Sequence, residues 1–166
     1  LGFLGAVDAD GAEWRPARRG DRLELDGVTI DVLSPDSAWA ASQTDINEGS
    51  VVLLVRYGNT RIVLAGDAGI ATEARLTGRV GRVALLKVGH HGSRGATSDR
   101  WLDELNPEDA VISVGAKNRY GHPAPETLAR LRAHGVTVLR TDERGTITLT
   151  VSSHGAFAIT DVRHHD

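Results

Sequence analysis

Cysteine and methionine are both missing from these 166 residues. Without thiols there can be no disulfide, and any bound metal must be held by histidine, carboxylate, side-chain amide or water. The lack of disulfides does not fix a compartment, since exported bacterial domains also do without them. A complete gene product begins on methionine, whereas this chain begins on Leu1, which reads as a processed protein or an excised piece. Aromatic residues make up only 4% of the chain, so Val, Leu, Ile and Ala must fill the core. Lys87 and Lys117 are the only lysines, and arginine carries the remaining positive charge. Long apolar runs are missing too. The opening Leu1-Gly2-Phe3-Leu4-Gly5-Ala6-Val7 is too short for a membrane span and lacks the basic flank of a signal peptide. The expectation is a soluble chain.

What remains is ordinary for one globular domain: 40% hydrophobic and 25% charged residues, with enough length to bury roughly two-thirds of the unfolded surface. The formal net charge of −3 argues against wholesale coating of nucleic acid. Arginines cluster at Arg15, Arg18 and Arg19, and Arg75, Arg79, Arg82, Lys87, Arg94 and Arg100 are expected to surround a candidate site. Arginine suits bidentate phosphate contacts, although a GC-rich genome also enriches it.

No internal repeat is visible. Residues 1–20 form a weakly patterned lead-in whose Asp8-Ala9-Asp10-Gly11 resembles a turn, and residues 21–166 form the domain. Asp21 to Leu25 and Val28 to Leu33 alternate around Asp26-Gly27, a strong hairpin signal, and Ser34-Pro35-Asp36 ends it. Ser37 to Gly49 reads as polar loop. Ser50 to Tyr57 and Thr60 to Ala65 form a second hairpin through Gly58-Asn59. Ala71 to Leu76 predicts a short helix, Val83 to Val88 a strand, and Ser98 an N-cap for a helix over Asp99 to Leu105. Ala110 to Val114 is a strand, and Pro125 to His134 a helix stopped by Gly135. Val136 to Arg140, Thr146 to Val151 and Ala156 to Thr160 complete the strands. The mixture predicts a sheet-rich α/β domain with helices over one face.

Chemistry concentrates where two of these strands give out. Leu64-Ala65-Gly66-Asp67 and Lys87-Val88-Gly89-His90-His91-Gly92-Ser93 each place a potential metal ligand just past an apolar run. Adjacent strands bring such residues together at the rim of a sheet, where rigid strands fix the ligands and loops leave a coordination position open.

Together with Asn47-Glu48-Gly49-Ser50 and Asn118-Arg119-Tyr120-Gly121-His122-Pro123, these motifs resemble the C-terminal part of the metallo-β-lactamase-like domain of the ComEC DNA-uptake competence proteins. The resemblance runs from about Gly20 to about Val151. It implies the C-terminal part of an αββα sandwich, belonging to a membrane-anchored protein of the bacterial cell envelope. It also implies a metal-dependent phosphodiesterase or nuclease acting on the DNA strand that is not imported. On that basis Asp67 bridges divalent metal ions, manganese or zinc, and either His90 or His91 binds one of them, while the other orients a ligand or contacts phosphate. Asn47, Ser50, Ser93, Arg94, Asn118 and His122 are implied phosphate contacts, with Ser93 and the amides after Gly92 forming an anion nest. The expected partners are the DNA phosphate backbone and the rest of the membrane channel protein; no organic cofactor is implied.

Two departures qualify the resemblance. The fold's main metal motif, His-x-His-x-Asp-His, does not occur in this chain, so the site is expected to be incomplete and the chain inactive alone. Asn47 and Ser50 stand where many relatives of the fold carry a further histidine; they are poor zinc ligands but suit an oxygen-preferring ion such as manganese, or phosphate. Two alternatives remain at this stage: a non-catalytic DNA-binding or assembly domain, and a phosphorylcholine-esterase-like phosphoesterase. Lys87 reads as a strand residue with a solvated tip, Glu73 as an exposed helix-face residue, and His154, His164 and His165 as solvated.

Overall fold

The computed structural model describes Gly11 and residues 13–162. Residues 8–10 of the expected early turn, and His164 and His165, lie outside them. Seven strands form one mixed sheet: β1 (Arg22–Leu25), β2 (Val28–Ser34), β3 (Val52–Tyr57), β4 (Thr60–Leu64), β5 (Leu85–Lys87), β6 (Asp109–Ile112) and β7 (Thr137–Arg140). Their spatial order equals their chain order. The pairs from β1 to β4 are antiparallel and those from β4 to β7 parallel. Tight turns explain the first half: Asp26 and Gly27 both adopt positive φ between β1 and β2. Helical crossovers explain the second, since parallel neighbours need a long return path.

Those crossovers are α2 (Ile70–Leu76), α3 (Asp99–Leu105) and α4 (Pro125–Ala133). They cover one face of the sheet. Val63, Leu86, Ala110 and Ile112 from the strands meet Leu76, Trp101, Leu102, Leu105 and Leu131 from the helices, all buried. Each large side chain in this layer contributes roughly 2–3 kcal/mol of burial. Ser98 caps α3 by accepting from the Trp101 amide at 3.4 Å, as its position before the apolar run predicts.

The opposite face is also apolar. Cross-strand pairing places Leu23, Ile30, Val55, Ile62 and Leu85 in one row, and Leu53, Leu64, Lys87, Val111 and Leu139 in another. A separate hairpin, β8 (Thr146–Val151) with β9 (Phe157–Val162), lies over part of it. Ile147, Leu149 and Ile159 of the hairpin face Val55, Ile62, Leu64, Leu85 and Val111 across an apolar groove of about 280 Å³. Thr60 Oγ1 donates to the Gly155 carbonyl at 2.7 Å, tying the hairpin's turn to the start of β4.

Two segments differ from the sequence reading. Residues 37–49 are not loop throughout: Ser37–Ser42 form α1 and Ile46–Gly49 a 3₁₀ turn. Asp36 starts the first by accepting from the Ala38 and Trp39 amides, and Asp45 starts the second by accepting from the Asn47 amide. Capping carboxylates supply what a short polar stretch lacks in apolar periodicity. A one-turn helix, α5 (Thr141–Arg144), also follows β7.

Candidate functional site

In a sheet whose parallel strands share one direction, the loops after their carboxyl ends open along one edge, and ligands bind there. Asp67 follows β4, His90 and His91 follow β5, and the Ser113–Pro123 loop follows β6. β3 runs the other way, so the Asn47–Ser50 segment before it reaches the same edge. The fold thus gathers all four sequence motifs at one rim.

Close approaches lock these loops together. Gly66 adopts φ +55°, and a Cβ there would lie 2.7 Å from the Val51 carbonyl and 3.3 Å from Ser50 Cβ. Asp67 is thereby seated directly against the Asn47–Ser50 segment. Glu48 reinforces the seat: its Oε2 accepts from the Thr72 amide at 2.8 Å, and Thr72 Oγ1 returns a bond to the Glu48 carbonyl at 2.8 Å. Gly69, the N-cap of α2, has no side chain to cap with, so Glu48 does it from a distant loop. On the other flank, Gly92 at φ +81° would place a Cβ 2.6 Å from Pro123 Cβ, and the Ala124 amide donates to the Gly92 carbonyl at 2.8 Å.

The two histidines are not equivalent. Both adopt left-handed backbone, φ +46° at His90 and +53° at His91, a rare conformation for two successive non-glycine residues. His91 Nδ1 lies 2.7 Å from the Ser113 carbonyl oxygen, and its Nε2 lies 3.4 Å from Asp67 Oδ1. A carbonyl only accepts, so Nδ1 carries the hydrogen and, in the neutral ring, Nε2 presents its lone pair toward the carboxylate. His90 instead sits edge-on to His122, ring centroids 5.8 Å apart, and to His91 at 6.5 Å. His122 stacks on Tyr120 at 5.9 Å and 18° between planes. Burial, and then the nearby His90 and His91, hold the His122 imidazole below its ordinary range.

A donor set can be tested against a divalent ion by its spacing. Two ligands each about 2.1 Å from one ion, at the tetrahedral angle, lie about 3.4 Å apart. Asp67 Oδ1 and His91 Nε2 match that spacing, and a ring N–H donated to a backbone carbonyl is the usual support behind a ligating imidazole. Among the described residues, however, no three His, Asp or Glu side chains converge closely enough to hold an ion. The pair is one side of such a site.

The other expected contacts divide. Asn47 and Ser50 are half-buried beside the Asp67 turn. Asn118 organises its own loop, accepting from the Tyr120 and His122 amides and donating to the Gly115 and His122 carbonyls. Three amides at the expected anion nest have internal partners: the Ser93 amide donates to the His90 carbonyl, Gly95 to Ser93 Oγ and Ala96 to the Ser93 carbonyl. The Arg94 guanidinium is paired with Glu126 at 3.0 Å. Nor do the arginines surround the site as expected. Arg75 lies over the Trp39 ring, and Arg82, before β5 rather than after it, pairs with Glu108 at the far end of the strand.

Lys87 and Glu73 also depart from the sequence reading. Lys87 is half-buried rather than reaching freely into solvent; its Nζ donates to the Gly66 carbonyl at 2.8 Å, beside Asp67. Burial lowers its pKa, and the Asp67 charge acts in the opposite direction. Its alternation with Leu86, which faces the helices, turns it toward the second face, where the rim of that face meets the site. Glu73 is buried rather than exposed, accepting from the amides of Thr97 and Ser98. Burial pushes its carboxyl up, against the pull of those N–H bonds and of Arg130. Arg130 clamps the same loop by donating to the Thr97 and Ala96 carbonyls at 2.8 Å.

No family model matches the chain. Its fold is metallo-β-lactamase-like: it resembles the crystal structure of a protein assigned as a metal-dependent hydrolase from Parabacteroides distasonis, with a TM-score of 0.53 at 11% identity over 83% of this chain and 61% of that one. ComE operon protein 3 of Bacillus subtilis is 35% identical over 94% of the chain and 20% of its own length. Competence protein ComA of Neisseria gonorrhoeae is 35% identical over 82% of the chain and 20% of its own length. Recombination protein 2 of Haemophilus influenzae is 32% identical over 73% of the chain. The chain is therefore homologous, over most of its length, to a segment of the ComEC-family competence proteins, and spans about a fifth of the first two.

Proposed function

We propose that this chain is part of a metal-dependent phosphodiesterase domain of a DNA-uptake competence protein, acting as a nuclease on the DNA strand that is not imported. The observation that carries the reading is the Asp67–His91 pair, 3.4 Å apart at the carboxyl edge of the sheet and braced by the Ser113 carbonyl. The competence proteins among its relatives and the hydrolase fold support it.

In this reading Asp67 and His91 Nε2 hold one side of a divalent metal. When bound, such an ion polarises a phosphoryl oxygen and lowers the pKa of a coordinated water. The chain's own residues do the rest. Ser113 fixes the His91 ring through its carbonyl, and Glu48 and Gly66 keep the Asp67 turn seated. Lys87 places a positive charge beside the carboxylate. Asn47, Ser50, Lys117 and Arg119 line the approach as phosphate contacts, giving salt-sensitive and sequence-indifferent binding. The ligand set is completed from outside this chain, which alone is inactive.

A manganese-dependent cleavage assay on the full-length protein tests this. Asp67→Ala is expected to lower cleavage at least a hundredfold, and undiminished cleavage by that variant would sink the nuclease assignment. One observation favours a second reading. Because the described residues offer no third ligand, the segment also fits a DNA-binding domain that keeps the fold without the chemistry. Metal-independent DNA binding by a full-length protein that never cleaves would establish that reading instead.

A further inference from the structure

Tyr120 is an exposed aromatic at the rim whose position folding does not explain. It keeps 82% of its surface in solvent, so it contributes little to the core. Its ring nevertheless has a defined place. It lies parallel to His122 at 5.9 Å, and His122 in turn meets His90 at 5.8 Å, so three rings step outward from the candidate metal centre. The loop beneath is rigid by construction. Asn118 uses both ends of its amide, accepting from the Tyr120 amide at 3.2 Å and the His122 amide at 3.0 Å and donating to the His122 carbonyl at 2.7 Å. Lys117 and Arg119 precede Tyr120 in the same loop and are exposed, which supplies positive charge near the ring for a phosphate backbone.

We propose that Tyr120 is a base-stacking platform that selects single-stranded DNA. An unpaired base at the scissile position or next to it stacks on the outer part of the Tyr120 ring, while Lys117 and Arg119 hold the neighbouring phosphates. A paired base in a duplex cannot present its face to that ring, and an exposed aromatic beside cationic side chains is how single strands are held without sequence preference. This rests on the phosphodiesterase reading above but makes a separate demand: part of the affinity must come from the base.

The test compares a fluorescent oligothymidylate with a strand of equal length made wholly of abasic sites, by anisotropy on the full-length protein with metal chelated. Wild type is expected to bind the oligothymidylate about five- to a hundredfold more tightly than the abasic strand, the range that one stacked base supplies. Tyr120→Ala should erase that difference and leave abasic binding unchanged, and Tyr120→Phe should retain it. As the ring is exposed, neither change threatens folding. Equal loss for both strands in Tyr120→Ala would mark the residue as structural and overturn the proposal. So would an unchanged preference in that variant, or a wild type that binds neither strand. Cleavage that still depends on Asp67 alongside an absent base preference would overturn the stacking and leave the phosphodiesterase reading standing.

Discussion

Asp67 and His91 share a rim because both lie in the short turns just past the ends of neighbouring parallel strands, at Leu64 and Lys87. Which of the two histidines meets the carboxylate is decided by a single carbonyl. Ser113 takes the Nδ1 hydrogen of His91 and leaves Nε2 aimed at Asp67, whereas His90 is turned toward His122. The same dependence on a distant partner governs Glu73. It is the buried acceptor for two amides of the loop that leads away from the histidines. Glu73→Ala would strand both N–H groups away from water and should cost about 2–4 kcal/mol. A urea titration reads this as a lower midpoint with unchanged slope, Glu73→Gln falling between the variant and wild type because it keeps one acceptor. A midpoint within error of wild type for Glu73→Ala would show that the loop is held some other way.

At the scale of elements, legibility in the sequence followed how local the cause was. Both early hairpins and the helix capped by Ser98 were readable, because a turn dipeptide or an N-cap next to an apolar run is a local signal. So was the placement of Asp67 and the His90-His91 pair just past two strand ends. The helix Ser37–Ser42 was not: it has no buried residue, and besides the Asp36 cap it is held by long-range contacts of Trp39, whose Nε1 donates to Thr72 Oγ1 and whose ring lies under Arg75. The reversals at Glu73 and Lys87 have one physical reason. Both long side chains are drawn inward by backbone groups far away in sequence, Thr97 and Ser98 for one and Gly66 for the other. The choice between His90 and His91 was hidden for the same reason, since the deciding carbonyl lies 22 residues away. Tyr120 could have been flagged as an aromatic between Arg119 and Gly121, near Lys117, in a chain with few aromatics.

On the scale of the molecule, the sheet has two apolar faces and helices for only one. The β8–β9 hairpin covers part of the second, and Leu23 and Leu25 on the edge strand β1 remain 62% and 72% exposed. Such an edge recruits another apolar surface. The chain on its own should therefore self-associate, and Leu23→Lys combined with Leu25→Lys should shift it toward monomer in size-exclusion chromatography with light scattering. A monodisperse wild-type monomer would contradict this. The rim's chemistry has its own direct test, which is Mn²⁺ binding to the full-length protein followed by the loss of the free-ion electron paramagnetic resonance signal. Asp67→Ala and His91→Ala should both weaken binding at least tenfold, with His90→Ala close to wild type. Strong loss in His90→Ala with binding intact in His91→Ala would contradict the account at its centre.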